Sequence, residues 1–452
     1  MSDANFSSEF KELAQKVFDL SGEYDSEVHF TAGSQALTRF ANNIIHQNVS
    51  TESSSLNIRL QKGSKTGSVN INLPAGDETL RRAVESCKEV VEHSKDTPDL
   101  LPMLGKQEYR KTDGFCPDTA SISPRRRAEI VLDTVEACRG QNLSAAGIVQ
   151  NYATYIGIAN SKGLFAFWRG TGFNFSLTVE GDDGTGWAES SAWKFADVNV
   201  NDDIAEAIEI AKRNQKPEDI EPGRYTVVLT PAAVGDLLVF LAWHGFNARA
   251  HLENRSFLAG KMGQKVFDER ITIIDDAYDP RWQGLPFDME GVPRERVELI
   301  REGVLVGLVY DRLTAEKMNA SPTGHGGRQP NTWGAFPSCI VVAPGNATME
   351  EMIKSVKNGL LVTHFHYTNT SELTKLTVTG MTRDGLFKIE NGEIVYPVKN
   401  LRFTQSIAEA LNRVVAVGSE QKRVSGFFFG GIITPGMIID EFNFSSATEF
   451  GG

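Results

Sequence analysis

KPEDIEPGRYTVVLTPAAVGDLLVFLAWH, residues 216–244, divides the chain. Lys216 to Gly223 combine charge with two prolines, the composition of an interdomain linker, and place a boundary after Pro222. Tyr225 to Leu229 then read as a strand. Thr230-Pro231 supplies an N-cap and a first-turn residue, and Val234, Leu237, Leu238 and Leu241 recur at helical spacing as the apolar stripe of a long helix. The chain therefore reads as α+β in two parts. Residues 1–222 form an N-terminal domain of mixed α and β structure, an antiparallel sheet with flanking helices. Residues 223–452 form a β-rich domain entered by the long helix.

Toward the N-terminus, Phe6, Phe10, Leu13 and Val17 mark an amphipathic helix closed by Gly22. Leu56, Ile58 and Leu60 alternate and are answered by Val69, Ile71 and Leu73 across a turn from Gly63 to Gly67, a hairpin. Gly63-Ser64-Lys65-Thr66 in that turn lacks the upstream glycine of a phosphate loop and precedes a strand, so it is not a nucleotide site. Helices follow from Asp77 and from Pro124, separated by a polar, proline-containing excursion at 96–122. Gly147 to Trp193 read as an antiparallel meander, and 202–213 as a closing helix. Beyond the entry helix, short strands flank Arg301-Glu302-Gly303 (Val297 to Ile300, Leu305 to Tyr310) and Asn391-Gly392, where both residues tolerate positive φ. Arg383-Asp384-Gly385 reads as a tight turn between strands.

Composition narrows the function. In 452 residues, 58 acidic against 46 basic side chains leave a net charge of -12, which repels a nucleic-acid backbone. The basic run Arg125-Arg126-Arg127 reads as a solvated helix face. Cys87, Cys116, Cys138 and Cys339 show no CxxC spacing and fit reduced thiols. The N-terminal residues lack a signal-peptide pattern, and the apolar runs near 237–243 and 427–439 are too short or too interrupted to span a bilayer. The expectation is a cytoplasmic protein with no membrane and no nucleic-acid partner.

Ordered segments along nearly the whole chain resemble the TldD/PmbA family, also called TldD/TldE or peptidase U62 and historically labelled modulators of DNA gyrase. They are Leu37-Thr38-Arg39-Phe40-Ala41-Asn42-Asn43 with Ile45 to Asn48, Ser256 to Val266, Ile273-Ile274-Asp275-Asp276, Pro322 to Gly326, and Ile389 to Ile394 with Pro397-Val398-Lys399. The resemblance implies a pair of similar subunits. One, TldD-like, is a hydrolase with a His-Glu-x-x-x-His helix and a late cysteine around zinc, where two imidazoles and a thiolate hold the metal and the glutamate takes a proton from water. The other, TldE-like, lacks the motif. Here the resemblance places Val239 at the first histidine, Phe240 at the glutamate and His244 at the second histidine, with the cysteine position near Ser425-Gly426. It thus implies a TldE-like chain without its own zinc, partnered by a zinc-bearing TldD-like subunit or by a second copy as a homodimer, and acting on unfolded or short peptides.

Other side chains are candidates on their own chemistry. His244 falls on the packed stripe of its helix, which suits a hydrogen-bonded core or interface histidine. His251 and Glu253 lie near the helix end, where polar groups satisfy free carbonyls, with a catalytic role as the rival reading. His364-x-His366 would put two imidazoles on one face of a strand, a metal-site spacing that needs a third donor such as His251, His325 or Cys339. This pair carries the alternative of an autonomous hydrolase with a relocated metal site. Arg383 could hold a peptide carboxylate, and His325, in a Gly-rich loop, could line a substrate site. His29, His46 and His93 read as structural. Exposed strand edges of the β-rich half could take an extended peptide by strand addition. A scaffold acting on another protein, as the gyrase label suggests, is the remaining alternative.

Overall fold

Two sheets that share no strand hold the strands of the computed structural model, which describes residues 3–425 and 431–448. The N-terminal half runs α1 (Asp3–Ser21), β1 (Asp25–Ala41), β2 (Ile44–Lys62), β3 (Lys65–Asn72), α2 (Asp77–His93), α3 (Pro117–Ala120), α4 (Pro124–Arg139), β4 (Ser144–Asn160), β5 (Phe165–Glu180), β6 (Thr185–Ala192) and α5 (Val200–Arg213). Its strands pair antiparallel in the order β3-β2-β1-β4-β5-β6. Alternation explains the layer: Phe30 and Ile58 meet Phe10 and Val84 from α1 and α2, while Phe173 and Phe175 meet Val131 and Ile208 from α4 and α5. Gly63 has φ +61 at the β2–β3 turn, so the Gly-Ser-Lys-Thr segment is a hairpin corner.

The C-terminal half runs β7 (Arg224–Leu229), α6 (Pro231–Gly245), α7 (Ala248–Leu252), β8 (Ile273–Asp275), β9 (Val297–Arg301), β10 (Val304–Leu305), α8 (Arg312–Lys317), β11 (Ile340–Val342), α9 (Met349–Ser355), β12 (Asn358–Glu372), β13 (Thr377–Glu390), β14 (Glu393–Pro397), β15 (Leu401–Ser406), α10 (Ile407–Leu411), β16 (Val414–Val424) and β17 (Ile432–Ala447). The sheet order is β10-β9-β8-β11-β17-β15-β13-β12-β7, and β7 pairs again with β17, so the last five strands close into a ring. Closure removes free edges along those strands. Thr230 caps α6 by accepting from the Ala233 N–H at 3.3 Å, with Pro231 in the first turn. The helix buries more than the expected stripe: Ala233, Gly235, Val239, Phe240 and Ala242 are buried as well, because α6 packs against β12, β16 and β17 at once.

Three local expectations are corrected. Arg383-Asp384-Gly385 is not a turn between strands but lies inside β13, where Asp384 (φ 55) and Gly385 (φ 134) kink the strand beside the register shift between Val362 and His364 of β12. The signal for positive φ was real, and pairing simply resumes on both sides. The strand expected over Leu305 to Tyr310 shrinks to β10, after which the chain leaves the sheet. Arg125 and Arg126 are exposed, but Arg127 is only 1% exposed. It donates to the Ile122 carbonyl (2.8 Å), Asn151 Oδ1 (2.9 Å), Thr38 Oγ1 (3.3 Å) and Asn48 Oδ1 (3.3 Å). Its position one turn into α4, opposite the polar Thr38, Asn48 and Asn151, turns it inward, and neutral acceptors satisfy it. Arg127→Met keeps the stem but strands these acceptors, so urea unfolding should show a loss of about 2 kcal/mol.

Candidate functional site

β6 turns Thr185, Trp187 and Glu189, at alternate positions, toward the C-terminal half. The Thr185 hydroxyl donates to Asp384 Oδ1, the Trp187 ring stacks on His364 with centroids 4.4 Å apart, and Glu189 Oε1 accepts the Ser425 N–H at 2.8 Å. From the other side, His364 Nε2 meets Asp384 Oδ2 at 2.8 Å, and Asp236 of α6 accepts the Phe365 N–H at 2.8 Å. The β13 kink is what aims Asp384 at this seam: Thr363 Oγ1 donates to the Gly385 carbonyl at 2.9 Å and fixes the bend.

The charges in the seam are unequal. Burial pushes Glu189 up to about 7, with the Asp236 charge adding to it, and burial pushes Asp236 up to about 6. Burial also opposes a charged His364, but the Asp384 hydrogen bond and charge, with Asp236 and Glu189, outweigh it and hold the imidazole above its ordinary value. Burial likewise acts against Asp384, whose carboxyl nevertheless stays below the usual range because His364 and Thr185 stabilise its anion. A charged His364–Asp384 pair next to two readily protonated acids can hold and release a proton between the halves. Beside Trp187, Glu189, Thr230 and Thr363 the free space is only ≈ 40 Å³, against the several hundred Å³ of a typical small-molecule site.

The sequence candidates fall in separate places. His364 is buried in the seam, and His366, further along β12, is half-buried and lies near enough to Arg383 and His364 for their charges to reinforce burial in lowering its pKa. Arg383 is partly exposed, with Nε 3.7 Å from Asp384 Oδ2. His244 is half-buried at the end of α6; it stacks on Trp243 (4.8 Å) and lies 3.3 Å from Thr370 Oγ1 of β12. Trailing the helix, His251 is buried with Nε2 2.7 Å from the Gly245 carbonyl, so its N–H caps α6. Glu253 is clasped by Arg249 and Arg255 at 2.9 and 2.7 Å, which keep its carboxyl low. His325 is buried elsewhere, 3.0 Å from Asp275 Oδ1. Cys339 is buried next to that second network, and burial pushes its thiol up to about 12. Glu189, Asp236 and Asp384 escaped the sequence reading. A lone carboxylate in the otherwise apolar run 231–242 was the available signal for Asp236.

The residues do not fit a zinc centre of the implied kind. Val239 and Phe240 are 8% and 4% exposed within the apolar core, and neither can ligate a metal or take a proton. Ser425 donates its N–H to Glu189, and Gly426 lies outside the described residues. Among the described residues no group of three or more His, Cys, Asp or Glu side chains is arranged to hold a metal, the His364/His366 pair included.

Three PmbA/TldA metallopeptidase family models match the chain: domain 1 over residues 27–90, the central domain over 117–215 and the C-terminal domain over 222–446. A metalloprotease of Methanothermobacter thermautotrophicus is 26% identical over 335 residues, 68% of this chain and 70% of that protein. The metalloprotease TldD homolog of Buchnera aphidicola subsp. Acyrthosiphon pisum is 30% identical over 49% of this chain and 46% of its own length. For metalloprotease PmbA of Escherichia coli O157:H7 the figures are 29%, 41% and 39%. The match thus spans half or less of the last two relatives. Among solved structures, TldE from Thermococcus kodakarensis superposes with a TM-score of 0.87 at 19% identity, covering 96% of this chain and 99% of that one. A modulator of DNA gyrase from Thermotoga maritima gives 0.86 at 21% identity, covering 96% and 100%. These two share the fold.

Proposed function

The chain belongs to the PmbA/TldD metallopeptidase family, and on that premise we propose that it is the non-catalytic, TldE-like subunit of a two-subunit zinc peptidase acting on unfolded or short peptides. The observation that carries the reading is the pair Val239 and Phe240, buried and apolar where the resemblance expects a ligand and a base. The likeness to TldE supports it at the level of fold. The zinc and its base would belong to a TldD-like partner, and this chain would shape the space that peptides enter. The partner would be that TldD-like subunit or a second copy of this chain. Residues 1–222 and 223–452 are taken as its two domains, each built on its own sheet. The four cysteines are unbonded, which supports a reducing, cytoplasmic setting, and no helix among the described residues is long and apolar enough to cross a membrane.

The test is to purify the chain alone and with a His-Glu-x-x-x-His relative from the same cell. The complex should cleave short peptides in a chelator-sensitive way, and the chain alone should neither cleave them nor carry zinc. Stoichiometric zinc together with chelator-sensitive cleavage by the isolated chain would sink the proposal. So would unchanged partner activity with and without this chain.

A further inference from the structure

β2 outruns its outer neighbour. It pairs with β1 along residues 44–61, whereas β3 covers only residues 55–62 and adds one bond, from the Leu73 N–H to the Ser54 carbonyl at 2.9 Å. The outer side of 47–53 is therefore a sheet edge: among the described residues, its main chain pairs with β1 and with nothing else. Backbone direction alternates along an antiparallel strand, so the bond at Ser54 fixes which residues point outward. They are Asn48, Ser50 and Glu52, and each offers one N–H and one C=O. All three are exposed, and within 47–53 only Val49 is not.

Sheet edges are normally blunted by lysine, proline or a bulge. Residues 47–53 hold no lysine or proline and a single charge, Glu52, and the register shift of the β1–β2 pair lies beyond them, between Gln47 and Ile45. Thr51 and Ser53 alternate with the helix-facing Leu56 and Ile58 and so belong to the opposite face of the sheet. There they border an open depression of ≈ 370 Å³ together with Gln35, Gln150 and Tyr152. Its lining carries no charge, so nothing beside the edge selects an incoming side chain by sign.

We infer that residues 47–53 of β2 take up an extended, unfolded peptide as an added strand. An alternating row of N–H and C=O groups is complemented by another extended main chain, whatever its sequence. A second copy of this chain fits the edge poorly. Paired antiparallel about Ser50, its β2 would carry residues 43–46 opposite residues 54–57, where residues 70–73 already lie. Two chains of net charge -12 also repel each other. A peptide of about seven residues ends before β3 and meets neither obstacle. The inference rests on the peptide reading above for its occupant, but binding here needs no zinc, no second subunit and no cleavage. The edge can therefore fail to bind while a complex still cleaves, and can bind while no complex forms.

The full chain, without a partner, is titrated by calorimetry with N-acetyl-Gln-Thr-Val-Thr-Val-Thr-Gln-amide and with the same peptide N-methylated at its five central residues. The unmethylated peptide should bind on the order of tenfold more tightly, since methylation removes the donors of the added ladder. Bound peptide should also slow amide hydrogen exchange within 47–53, a readout that locates the site in the parent chain. Ser50→Pro removes an outward N–H and leaves the β1 ladder intact, a position at which an edge strand accepts proline. It should keep the parent's urea midpoint and bind the peptide several-fold more weakly. Equal affinity for the two peptides, exchange within 47–53 that the peptide does not slow, or no binding up to about 1 mM would each overturn the inference. So would a chain that sediments as a dimer and becomes monomeric with Ser50→Pro, because the edge would then belong to a second copy.

Discussion

Asp275→Ala should cost the chain about 5 kcal/mol in urea unfolding. The Asp275 side chain has no exposure and spends both oxygens. Oδ1 accepts from Arg294 Nη2 at 2.8 Å and lies 3.0 Å from His325 Nε2, while Oδ2 accepts the backbone N–H groups of Ser338 (2.7 Å) and Cys339 (2.9 Å). Burial works against this anion, yet Arg294 and His325 hold its carboxyl well below the usual range. Removing it leaves the buried Arg294 guanidinium uncompensated and two backbone donors unpaired, and each loss is large in a low-dielectric interior. The pair Asp275→Ala with Arg294→Met should recover part of the loss, because the orphaned charge goes with the second change. A single-variant loss below about 1 kcal/mol would show that water or a neighbour replaces the carboxylate. Since the folded pKa is depressed, this contribution is present above pH 3.8 and fades as the pH falls below it.

Asp275 and His325 also show how far the sequence could be read. Both stand in segments that carry the family resemblance, Ile273 to Asp276 and Pro322 to Gly326. The structure joins the two side chains in one buried network, whereas a Gly-rich loop with a histidine had suggested substrate contact. Helices and hairpins were legible because they rest on local spacing: Phe6 to Val17, the Gly63 hairpin, Thr230-Pro231, Asn391-Gly392. Burial set by distant partners was not. Arg127 looked like its exposed neighbours until Thr38, Asn48 and Asn151 arrived from three strands, and the kink at Asp384 mimicked a turn because only a paired β12 distinguishes the two. The candidate seam was the least legible part. His364 could be picked out by type, but Trp187 and Glu189 come from the other half of the chain and Asp236 from an apolar helix, so no spacing connects them.

That seam should make the protein most stable near pH 5 and progressively weaker toward pH 8. Glu189 and Asp236 have folded values of about 7 and about 6, above their ordinary 4.5 and 3.8, so the folded chain keeps protons that the unfolded chain gives up. Stability therefore falls as the pH rises through that interval. His364 acts in the same direction: its folded value is raised, so its contribution is complete below 6.5 and is lost as the pH climbs through the folded value. Asp384, with a depressed value, opposes them only at low pH, where its contribution fades below 3.8. Glu189→Gln keeps an oxygen for the Ser425 N–H and removes the titration, so it should match the parent at pH 4.5 and exceed it by on the order of 3 kcal/mol at pH 8. Asp384→Asn should act oppositely at low pH, because His364 then loses the charge that favours its protonation. Parallel stability profiles for the parent and Glu189→Gln between pH 4.5 and 8 would mean that Glu189 is solvated after all, and the proton-holding seam would have to be abandoned.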